Sequence, residues 1–254
     1  MENKTVLKYD EPLVEGIIER RKSQFTMDVI INNEVVRCHC PTTGRIGNID
    51  LSGIPCLLSK SNDPKRKTPY TVEAVTLDLP ESKDKSWIGI NQNAANRYVE
   101  KALKEGLLPD MVHGYDSVLR EQVLGVSKLD FLVGNTYIEV KTPLQSIQLP
   151  YPKHINIKKI GKFSSTERFI KHINELAGSI ANNKGAILLV CFIYDNPGFE
   201  VEVRSTNSDF VESEVQKVIS KGIEIWQINF SISPDGVKLL KYLNITNNFT
   251  KKIR

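Results

Sequence analysis

Short apolar runs separated by polar turns dominate the first third of the chain. Segments 25–31, 35–40, 55–59 and 70–77 are rich in β-forming residues, and turn-forming stretches at 32–33, 44–53 and 62–67 separate them. Several short strands at this spacing are typical of a small barrel. The pattern therefore predicts an OB-like β-barrel, a common platform for nucleic acid.

The period of the apolar positions changes after the polar stretch 82–86, which predicts a boundary between domains 1–86 and 87–254. Helices are predicted at 94–107 and 209–220, with a third opened by the Ser-x-x-Glu capping box at 164–167. Strands are predicted at 118–124, 129–133, 137–140, 186–194 and 223–230. Helix, three strands, helix, strand is the order of a PD-(D/E)xK restriction-endonuclease-like core. The predicted fold class is therefore α/β (α+β), a barrel followed by this core.

A hairpin signal fixes the register of two central strands. Gly134-Asn135 stands between alternating runs, so Val133 should oppose Thr136 and Asp130 should oppose Glu139. With a period of two, Lys141 shares the face of Glu139. The opposite face, directed to the core, is formed by Leu129, Phe131, Ile138 and Val140.

Opposed carboxylates repel each other and destabilise a sheet, so a positive charge is expected between them. Asp130 and Glu139 offer hard oxygen ligands for Mg²⁺ or Mn²⁺, and Glu100 on the preceding helix is a candidate third ligand. Lys141 would orient or deprotonate the attacking water, or steady the developing charge. The predicted catalytic residues are Asp130, Glu139 and Lys141. The alternative is an ordinary solvent-exposed hairpin face.

The net charge of +4 lies entirely in the second part, because residues 1–86 carry 13 basic and 13 acidic residues. Local basic clusters are Arg20-Arg21-Lys22 near Phe25, Lys65-Arg66-Lys67, and a stretch between 153 and 171. Such clusters fit phosphate contact, and a cation beside an aromatic ring fits single-strand binding. They are equally typical of a solvated surface.

Other features exclude several classes of protein. Cys38-His39-Cys40 does not predict zinc, because alternate strand residues point to opposite faces and a second ligand pair is missing. The longest apolar run, 186–194, is too short for a membrane helix, and the polar N-terminus lacks a secretory signal. A cytoplasmic protein without a membrane partner is expected, and a homo-oligomer is compatible with the sequence.

Scattered motifs resemble the sugar fermentation stimulation protein A family over most of the chain. They include Cys40-Pro41-Thr42-Thr43-Gly44, Ser61-Asn62-Asp63-Pro64-Lys65-Arg66-Lys67, Tyr70-Thr71-Val72-Glu73, Gly89-Ile90-Asn91, Asn96-Arg97, Asp130-Phe131-Leu132, Glu139-Val140-Lys141 and Lys171-His172. The resemblance implies an OB-like domain, a PD-(D/E)xK domain, DNA binding and a link to sugar metabolism. It also implies Asp130, Glu139 and Lys141 as the active-site set, with Glu100 upstream.

The resulting nucleic-acid-binding set, with DNA favoured over RNA, is Arg20, Arg21, Lys22, Phe25, Thr43, Arg45, Lys65, Arg66, Lys67, Lys171 and His172. Thr42 departs from the family, which usually has Asn there, and the departure removes an amide that could contact a base or phosphate. Three hypotheses stay open: a metal-dependent nuclease of DNA or RNA, a non-enzymatic DNA-binding regulatory protein that keeps the nuclease fold, and a hydrolase of smaller phosphate esters.

Overall fold

The computed structural model describes residues 4–124, 127–159, 166–182, 185–200 and 206–250. Its strands are β1 (Lys4–Lys8), β2 (Val14–Arg21), β3 (Thr26–Ile31), β4 (Glu34–His39), β5 (Pro55–Lys60), β6 (Tyr70–Thr76), β7 (Trp87–Gly89), β8 (Val118–Leu124), β9 (Ser127–Val133), β10 (Thr136–Lys141), β11 (Gly185–Phe192), β12 (Glu224–Ser233) and β13 (Gly236–Asn244). Its α-helices are α1 (Gln92–Lys104), α2 (Glu167–Gly178), α3 (Ser208–Ser220) and α4 (Thr246–Thr250).

A barrel forms the first part of the molecule. One sheet has the strand order β4-β3-β2-β5-β6-β7, and a pairing between His39 on β4 and Thr71 on β6 closes it. Strands β2 to β6 thus enclose a core that includes Ile18, Met27 and Leu58, all fully buried. The predicted OB-like barrel is confirmed.

A seven-stranded mixed sheet forms the second part, in the order β1-β13-β12-β11-β10-β9-β8. Strands β10, β11 and β12 are parallel to one another, and the outer pairs are antiparallel. The edge strand β1 pairs with β13, so residues 4–8 belong to this sheet and not to the barrel. The N-terminal strand therefore departs from the predicted division at residue 86.

Helices cover both faces of this sheet. On β11, Ile187 and Leu189 pack into the cluster that contains α1, whereas Leu188 and Val190 pack into the cluster with α2 and α3. A strand buried on both faces carries a continuous apolar run, which explains the composition of 186–194. The predicted α+β class is confirmed, while the PD-(D/E)xK assignment stays a prediction.

The predicted capping box lies partly outside the described residues, because Ser164 is among those not described. The described part of α2 begins at Glu167 with Thr166 at its N-cap position, and no side-chain hydrogen bond caps it there. This helix packs against β9, β10 and β11. That placement brings α2 over the strands of the predicted active site.

Candidate active site

The hairpin of β9 and β10 has the predicted register. Val133 pairs with Thr136, Leu132 with Tyr137 and Phe131 with Ile138. Gly134 takes a positive φ of 53°, a conformation that glycine adopts without steric cost. One position further, the Asp130 Oδ2 accepts the Val140 N–H at 2.8 Å. A side-chain oxygen thus takes a donor that a regular ladder would give to the backbone.

The four residues predicted for the core face of the hairpin are all buried: Leu129, Phe131, Ile138 and Val140. The opposite face is covered as well, since Glu139 is only 2% exposed. Helix α2 lies over this face and contributes His172. The alternative of an ordinary solvent-exposed hairpin face is therefore wrong at Glu139, which lies in a partly enclosed site.

Glu139 is the centre of a short-range cluster. Its Oε1 lies 2.5 Å from the Lys141 Nζ and 2.5 Å from the His172 Nδ1. These two nitrogens are 3.4 Å apart. The other oxygen, Oε2, is buried and has no hydrogen-bond partner within the described part of the chain. The two oxygens of this carboxylate thus differ: one has two partners, and the other has none among the described residues.

Within the described part of the chain, the hydrogen bonds to Asp130 come from neutral donors. The Asn96 Nδ2 donates to its Oδ1 at 2.7 Å, and the Val140 amide donates to its Oδ2. Burial raises the pKa of Asp130 above its ordinary value, and the nearby negative charge of Glu139 raises it further. Ionisation of Asp130 beside the charged Glu139 therefore costs free energy unless a cation compensates the two negative charges.

One face of α1 carries three polar residues at intervals of four: Gln92, Asn96 and Glu100. Gln92 donates to the Thr142 carbonyl at 2.7 Å, and Asn96 holds Asp130. The third, Glu100, pairs instead with Lys104 at 2.7 Å and with Arg120 at 3.1 Å. The predicted role of Glu100 as a metal ligand is not supported, because the helix directs Asn96 to the site one turn earlier.

The remaining donors fit a divalent cation that keeps part of its water shell. Asp130 and Glu139 supply hard carboxylate oxygens, and the unpartnered Glu139 Oε2 is buried between strand and helix. No group of three His, Cys, Asp or Glu side chains suited to a metal occurs among the described residues. Cys38 and Cys40 are buried thiols, and burial raises the pKa of Cys38 to about 12. They form no zinc site within that part of the chain.

Arg21 differs from the other predicted nucleic-acid-binding residues, because loop carbonyls occupy its guanidinium. It donates to Thr42 O at 2.5 Å and to Gly44 O at 2.7 Å, with further bonds to the carbonyls of Ser23 and Gln24. A guanidinium used in this way organises the loop. The same loop presents Thr43 and Arg45, both exposed.

The other predicted binding residues lie on the surface and differ in how firmly neighbouring side chains hold them. Arg20 is bonded to Asp28 at 2.9 Å, and Arg66 donates to Thr71 at 3.0 Å. Phe25 is 49% exposed, an apolar ring that the barrel presents to solvent. Four exposed cations complete the set: Lys22, Lys65, Lys67 and Lys171. His172, in contrast, belongs to the Glu139 cluster.

The barrel and the second sheet are joined by buried polar contacts that the sequence analysis missed. Glu73 on β6 accepts from Ser59 at 2.6 Å and from the Asn91 amide at 2.7 Å, while Asn91 caps α1 at Ala94 N. The buried Thr42 hydroxyl donates to the Ile90 carbonyl. The departure at Thr42 is thus used within the protein. A path of contacts runs from the barrel through α1 to Asp130.

Two family models cover this chain. The SfsA N-terminal OB domain matches residues 20–90, and the sugar fermentation stimulation protein RE domain matches residues 93–236. The chain belongs to the sugar fermentation stimulation protein family. The two matched ranges coincide with the barrel and with most of the seven-stranded sheet, so the family assignment and the observed architecture agree.

Similar proteins match this family member over nearly their full length. A sugar fermentation stimulation protein homolog from Synechocystis is 30% identical, and the match covers 90% of this chain and 94% of that protein. A homolog from Pseudoalteromonas atlantica is 35% identical, with coverage of 92% and 97%. The structure of Pyrococcus furiosus SfsA in complex with Ca²⁺ shares the fold, with a TM-score of 0.69, 18% identity, and coverage of 94% and 97%.

The described helices of this family member include none long and apolar enough to cross a membrane. The motifs Glu73, Asn91 and Asn96 were part of the resemblance, but no role could be given to them from the sequence. The spacing of Gln92, Asn96 and Glu100 on one helix face was the available signal for the α1 contacts.

Proposed function

We propose that this protein is a metal-dependent nuclease that binds DNA and hydrolyses its phosphodiester bonds. The observation that carries the proposal is the buried Glu139 Oε2, unpartnered among the described residues, beside Asp130 with its raised pKa. A buried and a half-buried carboxylate side by side have no evident use in a purely binding surface, since they repel each other. They are useful where a divalent cation must be held.

Mg²⁺ or Mn²⁺ is the proposed cofactor, held by Asp130 and Glu139 with water as the remaining ligands. When bound, such an ion polarises a phosphoryl oxygen and lowers the pKa of a coordinated water. The Pyrococcus furiosus protein was solved in complex with Ca²⁺, another cation that prefers oxygen ligands, which supports a divalent-cation site in this family.

The chain's own residues would divide the remaining work. Asn96 and the Val140 amide fix both oxygens of Asp130, so this carboxylate presents a defined geometry. His172 and Lys141 fix one oxygen of Glu139. The Lys141 side chain is 32% exposed, so its ammonium can also reach a phosphate or its attacking water. That position suits stabilisation of developing negative charge.

The barrel is the proposed grip on the strand. Its exposed Phe25 and the lysines at 22, 65 and 67 offer a stacking ring and phosphate contacts. Thr43 and Arg45 extend this surface toward Lys141, because all three line one cavity. In this proposal the barrel binds the DNA strand, and the hairpin carries the residues that hydrolyse it.

The second candidate is a non-enzymatic DNA-binding regulatory protein. The absence of a third metal-ligating side chain in the described cluster favours it, as does the pairing of Glu100 with Arg120 and Lys104. Under this hypothesis the fold is retained for binding alone. Such a protein would bind DNA without cutting it in any metal.

Cleavage assays separate the two candidates. Labelled single- and double-stranded DNA and RNA are incubated with Mg²⁺, Mn²⁺ or EDTA, using the native protein, Asp130→Asn and Lys141→Ala. Lys128→Ala is the matched control, because Lys128 lies on the same hairpin but pairs with the exposed Glu121. If the protein is a nuclease, the native protein and Lys128→Ala should cut in the presence of metal, and Asp130→Asn and Lys141→Ala should not. Tight binding without cutting would favour the regulatory protein.

A further inference from the structure

A cavity of about 560 Å³ lies between the barrel and the second sheet. Its lining comes from the barrel loop 42–45, the segment after β10, and helices α2, α3 and α4. Ligand pockets in proteins are commonly about 300–1,000 Å³, so this cavity is large enough for a bound group. Lys141 lines it, which makes the cavity continuous with the candidate active site.

The cavity has apolar walls and a polar, positively charged rim. The walls include Phe169, Leu188, Val190, Val211, Val215 and Ile225. The rim includes Thr43, Arg45, Lys141, Gln145 and Ser146. Glu200 also lines the cavity and disfavours a ligand that is negatively charged along its whole length. A fitting ligand therefore has a flat or apolar body, hydrogen-bonding edges and an anionic group at one end.

A single nucleotide has this distribution of properties. Its base can pack on apolar and aromatic side chains, and its edge can bond to hydroxyl and amide groups such as those of Ser146 and Gln145. Its phosphate would meet Arg45 and Lys141 at the rim, beside Glu139. A base that is stacked and paired within a duplex cannot enter a cavity of this kind without being extruded.

We propose that the cavity binds the base of one unpaired nucleotide next to the phosphate that the hairpin acts on, so that single-stranded or locally unpaired DNA is the preferred substrate. This inference rests on the proposed function, since it assigns a substrate class to the same site. The cavity, and not the barrel surface, would then distinguish unpaired from fully paired DNA.

Binding in EDTA tests the proposal without cleavage. Fluorescence anisotropy compares a fully paired duplex with the same duplex carrying a one-nucleotide bulge, and with the single strand. The native protein should bind the bulged duplex about tenfold more tightly than the paired one, a modest gain for the burial of one base. A 2-aminopurine at the bulge should change its fluorescence on binding, because it leaves the base stack.

Two neighbouring residues on α3 provide a matched pair of variants. Val211 lines the cavity, whereas Phe210 is 55% exposed and does not. Val211→Trp should fill the cavity and abolish the preference for the bulge, with paired-duplex binding unchanged, while Phe210→Trp should keep it. Ser146→Trp blocks the cavity from the rim and gives the same test in case Val211→Trp fails to fold.

The outcomes distinguish this inference from the proposed function. Equal native affinity for bulged, single-stranded and paired DNA would overturn the cavity proposal, as would a preference that survives both blocking variants. Cleavage of DNA in Mg²⁺ without a preference for the bulge would support the nuclease proposal and contradict the base pocket. A bulge preference lost in both blocking variants, without cutting in any metal, would support the pocket and remove the nuclease.

Discussion

Two aspartates in this molecule, the buried Asp28 and the half-buried Asp130, have opposite surroundings. Asp28 in the barrel accepts from Arg20 at 2.9 Å and from Arg37 at 3.5 Å, and the Arg20 hydrogen bond holds its pKa below the ordinary value. Asp130 in the hairpin accepts hydrogen bonds from two neutral donors among the described residues, and burial together with the charge of Glu139 raises its pKa despite the opposing charge of Lys141. The barrel pairs its buried aspartate with two arginines of the chain, whereas the hairpin places Asp130 beside a second carboxylate, which is the arrangement on which the proposed cation site rests.

The largest expected effect is on the cleavage rate, which should depend on the hairpin carboxylate Glu139 and not on the barrel carboxylate Asp28. Glu139→Gln should lower the cleavage rate by at least about a hundredfold, because charge-stabilising groups in active sites contribute on that order or more. Asp28→Asn should cut at the native rate when it is assayed below its melting temperature. Single-turnover cleavage in Mg²⁺ measures both. Equal cleavage rates of the native protein and Glu139→Gln would contradict a catalytic role for Glu139.

The next effect concerns Asn96, which orients Asp130 through a 2.7 Å hydrogen bond. Asn96→Ala should lower cleavage by about 10- to 100-fold, the usual range for residues that orient metal ligands. DNA affinity in EDTA should not change, because Asn96 does not belong to the barrel surface. Asn93→Ala on an exposed position of the same helix is the control. A loss of affinity without a loss of rate would assign Asn96 to binding instead.

A smaller effect distinguishes the two arginines near the loop 42–45. Arg45 is exposed on the rim, so Arg45→Ala should weaken DNA binding and reduce the slope of log affinity against log salt by about one. Arg21 is bonded to four carbonyl groups, so Arg21→Ala should mainly lower the melting temperature. Salt titrations and thermal melts on both variants check this. The reverse assignment would show that Arg21, not Arg45, contacts phosphate.

The smallest effect is on stability and has opposite signs for the two aspartates. The raised pKa of Asp130 means that the folded state holds this proton more tightly, so stability is lost as the pH rises from 3.8 through the raised value. In EDTA at neutral pH, Asp130→Asn should melt at a higher temperature than the native protein, because the substitution removes a charge that burial and Glu139 disfavour. The gap should close on acidification.

For Asp28 the sign is reversed. Its lowered pKa contributes stability that is present above the ordinary value of 3.8 and is lost as the pH falls through the lowered value. Asp28→Asn should therefore melt below the native protein at neutral pH, with a deficit that shrinks toward acid. Two variants that shift in the same direction would contradict the contrast between the barrel and the hairpin.

Local patterns predicted the hairpin correctly, because a two-residue turn and a period of two determine register and faces. They could not predict that α2 covers Glu139 or that α1 directs Asn96 to Asp130. Those contacts depend on how helices rotate and pack on a sheet. Glu100 was predicted as a ligand from its place on the preceding helix and from the family resemblance, and its pairing with Arg120 could be known only from the position of β8.

The missed strands have similar explanations. Strand β2 contains Gly16 and a charged end, both poor strand signals, yet a Cβ at Gly16 would lie 2.7 Å from Val29 Cγ1. Glycine is needed there by the close approach of β3. Strand β1 is short and finds its partner β13 more than 200 positions away, at Gly236–Asn244. No local pattern carries that information.

Titration of Mn²⁺ into the native protein and into Asp130→Asn, followed by calorimetry, tests the central claim most directly. The native protein should bind Mn²⁺ saturably, Asp130→Asn should lose most of this affinity, and Asp28→Asn should bind like the native protein. The absence of Mn²⁺ binding to the native protein, or equal affinity of native protein and Asp130→Asn, would contradict the assignment of Asp130 and Glu139 as a cation site.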